Sequence, residues 1–305
     1  MKKKKVLPKI DLPFLTNYVK RYLKETRFEW LIQGNLLKDE AINIAETCHK
    51  ILRDEVLTLD RTPTYRIANI QTRTNYVYCL DSKDEANVNS SLLSCFQVGK
   101  LDHVDLLKLE IINSIFKEKF FNDLRTKQAL GYIVSMFPNK VRKVCSLNYV
   151  VQSSVKSPEY IWQKITEFVI AGEQIISELN DKTFNIHIAS ITNELKKKDL
   201  KLSDEANRNY FQIKNREFLF NIKELNLELI STIKKEEVIA FYKEHFIKNF
   251  KRLDVEVICK THKAENEVLL EVNNEIAAKN YFKRIKVSSI NDFKKKVPLY
   301  EDFMF

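Results

Sequence analysis

Between Asp102 and Val151 the sequence changes period, and that change restricts what the chain can build. Apolar residues stand at 104, 107, 109, 111, 112, 115, 116 and 120. They follow a helical period but cover more than one stripe, which predicts a helix buried on two sides. Asp102 supplies an N-cap. The run breaks at Gly131. Residues 133–137 and 144–151 then read as a hairpin around Pro138-Asn139-Lys140, with Cys145, Leu147, Tyr149 and Val151 alternating as a half-buried strand requires.

The same reading predicts helices over 11–24 and 38–52, and others starting at Ser157, Asn180, Ser203 and Lys234. Ser157-Pro158-Glu159 is the strongest start: a cap residue, a proline in the first turn, then an acid. Strands are predicted over 75–80, 88–98 and 253–259, the last with Leu253, Val255 and Val257 on one face. One more strand is expected over 27–32, between two helices. A single strand makes no sheet of its own. Residues 1–58 are therefore expected to be the end of a preceding domain, 59–68 around Thr62-Pro63-Thr64 a linker, and 69–305 a complete domain.

Composition narrows the function classes. Only four glycines occur, at 34, 99, 131 and 172, so no glycine-rich phosphate loop is present. The net charge is +10, much of it from lysine runs at 2–5, 196–198 and 294–296 that read as solvated faces. Aromatic residues fall mostly on apolar faces rather than among the basic ones, so nucleic acid is not an expected partner. The five cysteines are odd in number and widely spaced, with no C-x-x-C, which favours reduced thiols and a cytoplasmic location over disulfides. No apolar run approaches the ~18 residues a bilayer span needs, so no membrane is expected.

Catalytic machinery is not visible. The five histidines, at 49, 103, 187, 245 and 262, are scattered, and neither H-x-x-E-H nor H-E-x-x-H occurs. No serine or cysteine nucleophile motif is present either. The expectation is no catalytic residue and no metal in this chain. Arg125 and Tyr132 flank the break at Gly131. A guanidinium fork and a phenolic hydroxyl there suit backbone carbonyls or a developing oxyanion. The blander reading has Arg125 capping the helix and Tyr132 packing beside the strand.

Residues 121–132, Phe-Asn-Asp-Leu-Arg-Thr-Lys-Gln-Ala-Leu-Gly-Tyr, resemble the Phe-x-x-Leu-Arg-Thr-x-x-Gln-Leu-Gly-Tyr signature of the insulin-degrading-enzyme branch of the M16 (inverzincin-type) zinc metallopeptidases. Val238-Ile-Ala-Phe-Tyr-Lys-Glu and Val297-Pro298-Leu299-Tyr300 also resemble that family's last domain, and residues 12–52 resemble the close of its third. The resemblance implies an α+β fold: a mostly antiparallel sheet with helices packed on one face, preceded by a partial domain of the same type. It implies substrate binding by Arg125, Tyr132 and Phe121, the Phe lining the pocket beside the scissile bond. One departure stands out: Ala129 replaces the family's Gln, and a Gln occupies 128 instead.

On this resemblance the chain is a non-catalytic C-terminal portion that forms one wall of a peptide-binding chamber and positions peptides for cleavage. The zinc and the catalytic residues belong to an N-terminal half, its expected partner along with peptide substrates; a homo-oligomer is left open. The alternative is a free-standing inactive subunit acting as a structural or regulatory partner.

Overall fold

The computed structural model describes residues 6–24, 26, 28–52, 66–280 and 283–301. The chain divides into two compact units, Met1–Tyr65 with Asp199–Phe211, and Arg66–Lys198 with Gln212–Phe305.

The first unit carries helices α1 (Leu12–Lys24) and α2 (Lys38–Leu52). Asp11 caps α1 by accepting from the Phe14 amide at 2.8 Å. Helix α2 has Asp39 and Glu40 in its first turn and His49 and Lys50 in its last, the order the helix dipole favours. The strand expected over 27–32 is not formed: residues 28–32 join no ladder, and Arg27 lies outside the described residues. The physical reason is the lack of a neighbouring strand among the described residues of this unit, without which an extended segment satisfies none of its backbone groups. The rings of Phe28 and Trp30 stack instead, 5.7 Å apart. The expected linker lies outside the described residues as far as Tyr65.

The second unit is built on six strands: β1 (Thr74–Asp81), β2 (Ser90–Lys100), β3 (Ile133–Val141), β4 (Val144–Ser153), β5 (Lys251–Ile258) and β6 (Lys283–Lys286), in the order β3-β4-β2-β5-β1-β6. Pairs β3/β4, β4/β2 and β2/β5 are antiparallel, and β1 is parallel to both β5 and β6. Strand β6, Lys-Arg-Ile-Lys, has no apolar alternation to announce it. The helices are α3 (His103–Phe121), α4 (Pro158–Ser177), α5 (Asp181–Lys196), α6 (Leu202–Lys214, whose residues to Phe211 count with the first unit), α7 (Ile222–Ile230), α8 (Lys235–Tyr242), α9 (Lys263–Lys279) and α10 (Ile290–Lys296). Asp102, Ser157 and Asn180 cap α3, α4 and α5 with their side-chain oxygens.

The β3–β4 hairpin turns at Arg142-Lys143, not at Pro138–Lys140 as the prolyl residue suggests. Both turn residues have positive φ, 49° and 64°, the geometry whose twist matches the strands of a two-residue hairpin. Pro138 sits inside β3, which tolerates it because β3 is an edge strand. Side chains disfavour left-handed backbone. Replacing Arg142-Lys143 by Asn-Gly is therefore expected to stabilise the unit by about 1 kcal/mol, or a rise of about 2–4 °C in melting temperature. A scanning calorimetry trace with an unchanged or lower midpoint would show that the lysine's own contacts outweigh the backbone relief.

The helix-covered face of the sheet is divided. On the β3–β4–β2 side it is apolar: Val134, Met136, Leu147, Tyr149, Val151, Leu92 and Phe96 lie on one face in register and are buried. Phe116 and Phe120 of α3, Phe168 of α4 and Tyr242 of α8 close this core edge-to-face, with ring centroids 5.1–5.5 Å apart at Phe120–Tyr149, Phe116–Tyr242 and Phe116–Phe168. The Tyr242 hydroxyl donates to the Val169 carbonyl at 2.6 Å. Gly172 makes room for it, since a Cβ there would lie 2.2 Å from that hydroxyl.

On the β5–β1–β6 side the same face is ionic. Strand β5 turns Arg252, Asp254 and Glu256 inward and leaves Leu253, Val255 and Val257 half-buried, the reverse of what an apolar alternation suggests. The inversion is tolerated because Arg252 and Asp254 find partners, while Glu256 accepts from the Cys79 thiol at 3.3 Å. Arg252 pairs with Asp254 at 2.9 Å, Arg284 makes a two-pronged pair with Glu159, and Asn75 donates to Asp254 at 2.7 Å. Trp162 lies between the two guanidinium groups, its ring centroid 5.0 Å from Arg252 and 4.4 Å from Arg284, and its indole N–H donates to Asn75.

Candidate functional site

Helix α3 does not stop at Phe121. Residues Asn122–Lys127 continue it as a π-helical turn, closed by Gln128 N–H donating to the Asp123 carbonyl at 3.1 Å. Such widened turns recur at functional positions because they re-aim side chains. The Gln128 side chain folds back to donate to the Asp123 carboxylate at 3.2 Å. The chain leaves the helix at Ala129, which has φ +50°, and not at Gly131. Gly131 has a different task. A Cβ there would sit 1.8 Å from the Gln152 carbonyl oxygen, so only glycine lets the segment approach β4 closely enough to start β3. The departure at Ala129 therefore falls on the left-handed residue of the turn, while Gln128 supports the π turn from one position earlier.

This geometry brings Phe121, Arg125 and Tyr132 together. The guanidinium carbon of Arg125 stands 4.8 Å from the ring centroid of Phe121 and 4.8 Å from that of Tyr132, so the planar cation is held between two rings. Each such contact is worth about 0.5–1 kcal/mol at an exposed site. Stacking orients the fork without engaging its N–H groups. Among the described residues, neither the Arg125 side chain nor the Tyr132 hydroxyl makes a hydrogen bond. Tyr132 is 82% exposed and Phe121 36% exposed, and neither is needed to fill the core.

Two depressions lie beside the end of α3 and its π turn. One, of about 530 Å³, runs between α3 and β3, with Phe121 at its side, Lys117, Glu118 and Asn122 on the helix, and Val134, Ser135 and Met136 on the strand. The second, of about 550 Å³, lies between the π turn and α4, with Lys127, Asp123, Lys164 and Glu167 among its lining residues. The lining by Lys117 and Glu118 has a signal in the sequence, their helical offsets of four and three residues from Phe121.

The histidines are dispersed. His187 Nδ1 is 2.9 Å from the Ser114 hydroxyl, and burial pushes its pKa down. His245 packs on Phe241 at 4.5 Å, and burial lowers it too. His262 Nδ1 lies 3.0 Å from the Ser90 hydroxyl. Among the described residues no three His, Cys, Asp or Glu side chains are grouped so as to hold a metal ion, so the residues present do not fit a zinc centre. All five cysteines are free, and burial pushes the Cys95 and Cys145 thiols up to about 11. Among the described residues no helix is long and apolar enough to cross a membrane.

Comparison with known proteins agrees with this architecture. The family described as PQQ synthase PqqF-like, C-terminal lobe domain 4, matches residues 111–210, a range that contains the Arg125 site. Insulin-degrading enzyme of Homo sapiens is 28% identical over 245 residues, 79% of this chain and 24% of that protein. A nardilysin-like protein of Arabidopsis thaliana is 26% identical over 244 residues, again 79% of this chain and 24% of its own length. The crystal structure of pitrilysin superposes with a TM-score of 0.78 at 16% identity, covering 99% of this chain and 30% of that one. The chain thus spans about a quarter of the length of these two relatives and 30% of pitrilysin.

Proposed function

We propose, on the premise that the chain is homologous to insulin-degrading enzyme and nardilysin of the M16 peptidase family, that it is the non-catalytic C-terminal portion of a longer zinc metallopeptidase of that kind. It forms one wall of a peptide-binding chamber. The observation that carries the reading is the Arg125 guanidinium held between Phe121 and Tyr132 with its donors unengaged. An extended peptide offers carbonyl oxygens at regular intervals. The fork of Arg125 and the hydroxyl of Tyr132 donate to them, and Phe121 supplies an apolar contact for the adjacent side chain. On this reading residues 1–58 end a preceding domain, 59–68 link, and 69–305 form the wall.

Zinc has no ligand set among the described residues, so the metal chemistry lies with a partner half that supplies H-x-x-E-H. The purified chain is expected to bind no stoichiometric zinc and to leave a fluorogenic peptide intact, and cleavage is expected when the zinc-bearing half is added. Chelator-sensitive cleavage by the chain alone overturns the reading. A photoreactive group at position 132 is expected to cross-link to the peptide in the assembled enzyme, and cross-linking only elsewhere removes the chamber-wall role.

A further inference from the structure

Strand β3 begins at Ile133, directly after Tyr132, and among the described residues no strand pairs with its outer edge. The hairpin fixes which backbone groups lie on that edge. A two-residue turn is flanked by a hydrogen-bonded pair, here Val141 and Val144, and in an antiparallel ladder such pairs recur at every second residue. Residues 133, 135, 137, 139 and 141 therefore bond to β4, while 134, 136, 138 and 140 turn their backbone groups outward. Pro138 fits this register, because the N–H it lacks would have faced outward. Past Pro138 the strand is tied to another segment: Lys140 pairs with Glu217, and the Arg142 amide donates to the Asn215 side chain. The open length is thus Val134 and Met136, each presenting one N–H and one C=O.

Edges that stay in water are ordinarily protected by charged side chains, bulges or prolines. Residues 133–137, Ile-Val-Ser-Met-Phe, carry no charge, and Ile133 is 44% and Phe137 43% exposed. The β3–β4 register runs without a bulge, and Pro138 guards only the far end. The depression between α3 and β3 adds room. Its lining includes three successive strand residues, Val134, Ser135 and Met136. Successive residues point to opposite faces, so the depression opens along the edge of the strand and not over one face. A further strand would lie about 4.8 Å outside β3, with the side chains of its helix-side face against Phe121 and its neighbours on α3. Lys117 and Glu118 offset each other there, which favours an apolar side chain over a charged one. The occupant follows from what adjoins the edge. The donors of Arg125 and Tyr132, at the start of β3, suit the carbonyls of an extended chain, and one extended peptide can meet both.

We propose, resting on the chamber-wall reading, that the peptide adds to β3 as a further strand, exchanging backbone hydrogen bonds with Val134 and Met136 and laying apolar side chains against Phe121. The probe is acetyl-Thr-Val-Tyr-Val-Thr-amide, with two relatives: one N-methylated at both valines, the other at both threonines and the tyrosine. Only alternate N–H groups of an added strand face its neighbour, so only one relative loses the bonds to β3. The full chain is isotope-labelled, and the amide signals of Val134 and Met136 are assigned through Val134→Ile and Met136→Leu. The parent peptide is expected to shift both amides with a dissociation constant on the order of 1 mM. One methylated relative is expected to bind at least tenfold more weakly and the other within about twofold of the parent. Equal binding by the two relatives, or no shift at Val134 and Met136, overturns the proposal. If Tyr132 shifts in either of those cases, the chamber-wall reading stands and only the added strand falls; if Tyr132 is also silent, both fall. A chain that sediments as a dimer, with the two amides protected from exchange before any peptide is added, would make a second copy the occupant and likewise overturn the proposal.

Discussion

In the full-length enzyme, Arg125→Ala is expected to lower kcat/KM for peptide cleavage by on the order of 100-fold, with Tyr132→Phe close behind. The structure explains why the loss should fall on turnover and not on folding. Tyr132 is 82% exposed, and the Arg125 cation leans on two rings without a hydrogen bond that holds the fold together. Two stacking contacts set the stability cost of Arg125→Ala at about 1–2 kcal/mol. Arg125→Lys separates shape from charge. A lysine keeps the charge but loses the planar fork and its stacking, so it should rescue little. If both variants turn peptides over normally and only the melting temperature falls, Arg125 and Tyr132 are packing residues and the chamber wall lies elsewhere.

Glu256→Gln is expected to flatten the stability–pH curve of the second unit. Glu256 is fully buried, and its carboxyl is pushed up to about 8, first by burial and then by the nearby Glu159 and Asp254. The unfolded chain releases this proton near the ordinary value of 4.5. Between that value and about 8 the folded state binds more protons, so stability is present at low pH and is lost as pH rises through that window. Each unit of offset is worth about 1.4 kcal/mol, which makes the loss a few kcal/mol. Burial lowers His187 and His245, which gives the opposite slope through their ordinary value of 6.5, but they do so in both proteins. The difference between wild type and Glu256→Gln therefore isolates the carboxyl. Urea midpoints from pH 5 to pH 8.5 should converge at the acid end and diverge at the alkaline end, with the variant more stable there. Parallel curves would mean that Glu256 is charged in the folded protein.

Periodicity made the apolar half of this fold legible and misjudged the ionic half. Helix α3, the β3–β4 pair and the caps at Asp102, Ser157 and Asn180 follow from spacing and cap chemistry, because their burial is apolar and their ends are locally satisfied. Strand β5 misled because its buried residues are Arg252, Asp254 and Glu256, whose partners Thr166, Asn75 and Cys79 are far away in sequence. Strand β6 was invisible because it is four residues of an edge, paired in parallel with β1. The trio at the site was legible by resemblance. Its geometry was not, since a π turn and a left-handed Ala129 leave no periodic trace.

The strand order also fixes the sequence in which the sheet can assemble. Strands β2, β3 and β4 lie within residues 90–153 and pair with one another antiparallel, so they can zip up early. Strand β1, the first strand among the described residues, pairs there with β5 and β6 alone, more than 170 positions later. Non-local pairings of this kind close slowly. During synthesis β1 therefore waits unpaired, and one edge of β2 stays open, until Lys251–Ile258 has left the ribosome. A nascent or truncated chain that ends before residue 251 exposes three unsatisfied strand edges, both of β1 and one of β2, the condition under which chaperones are recruited and chains aggregate.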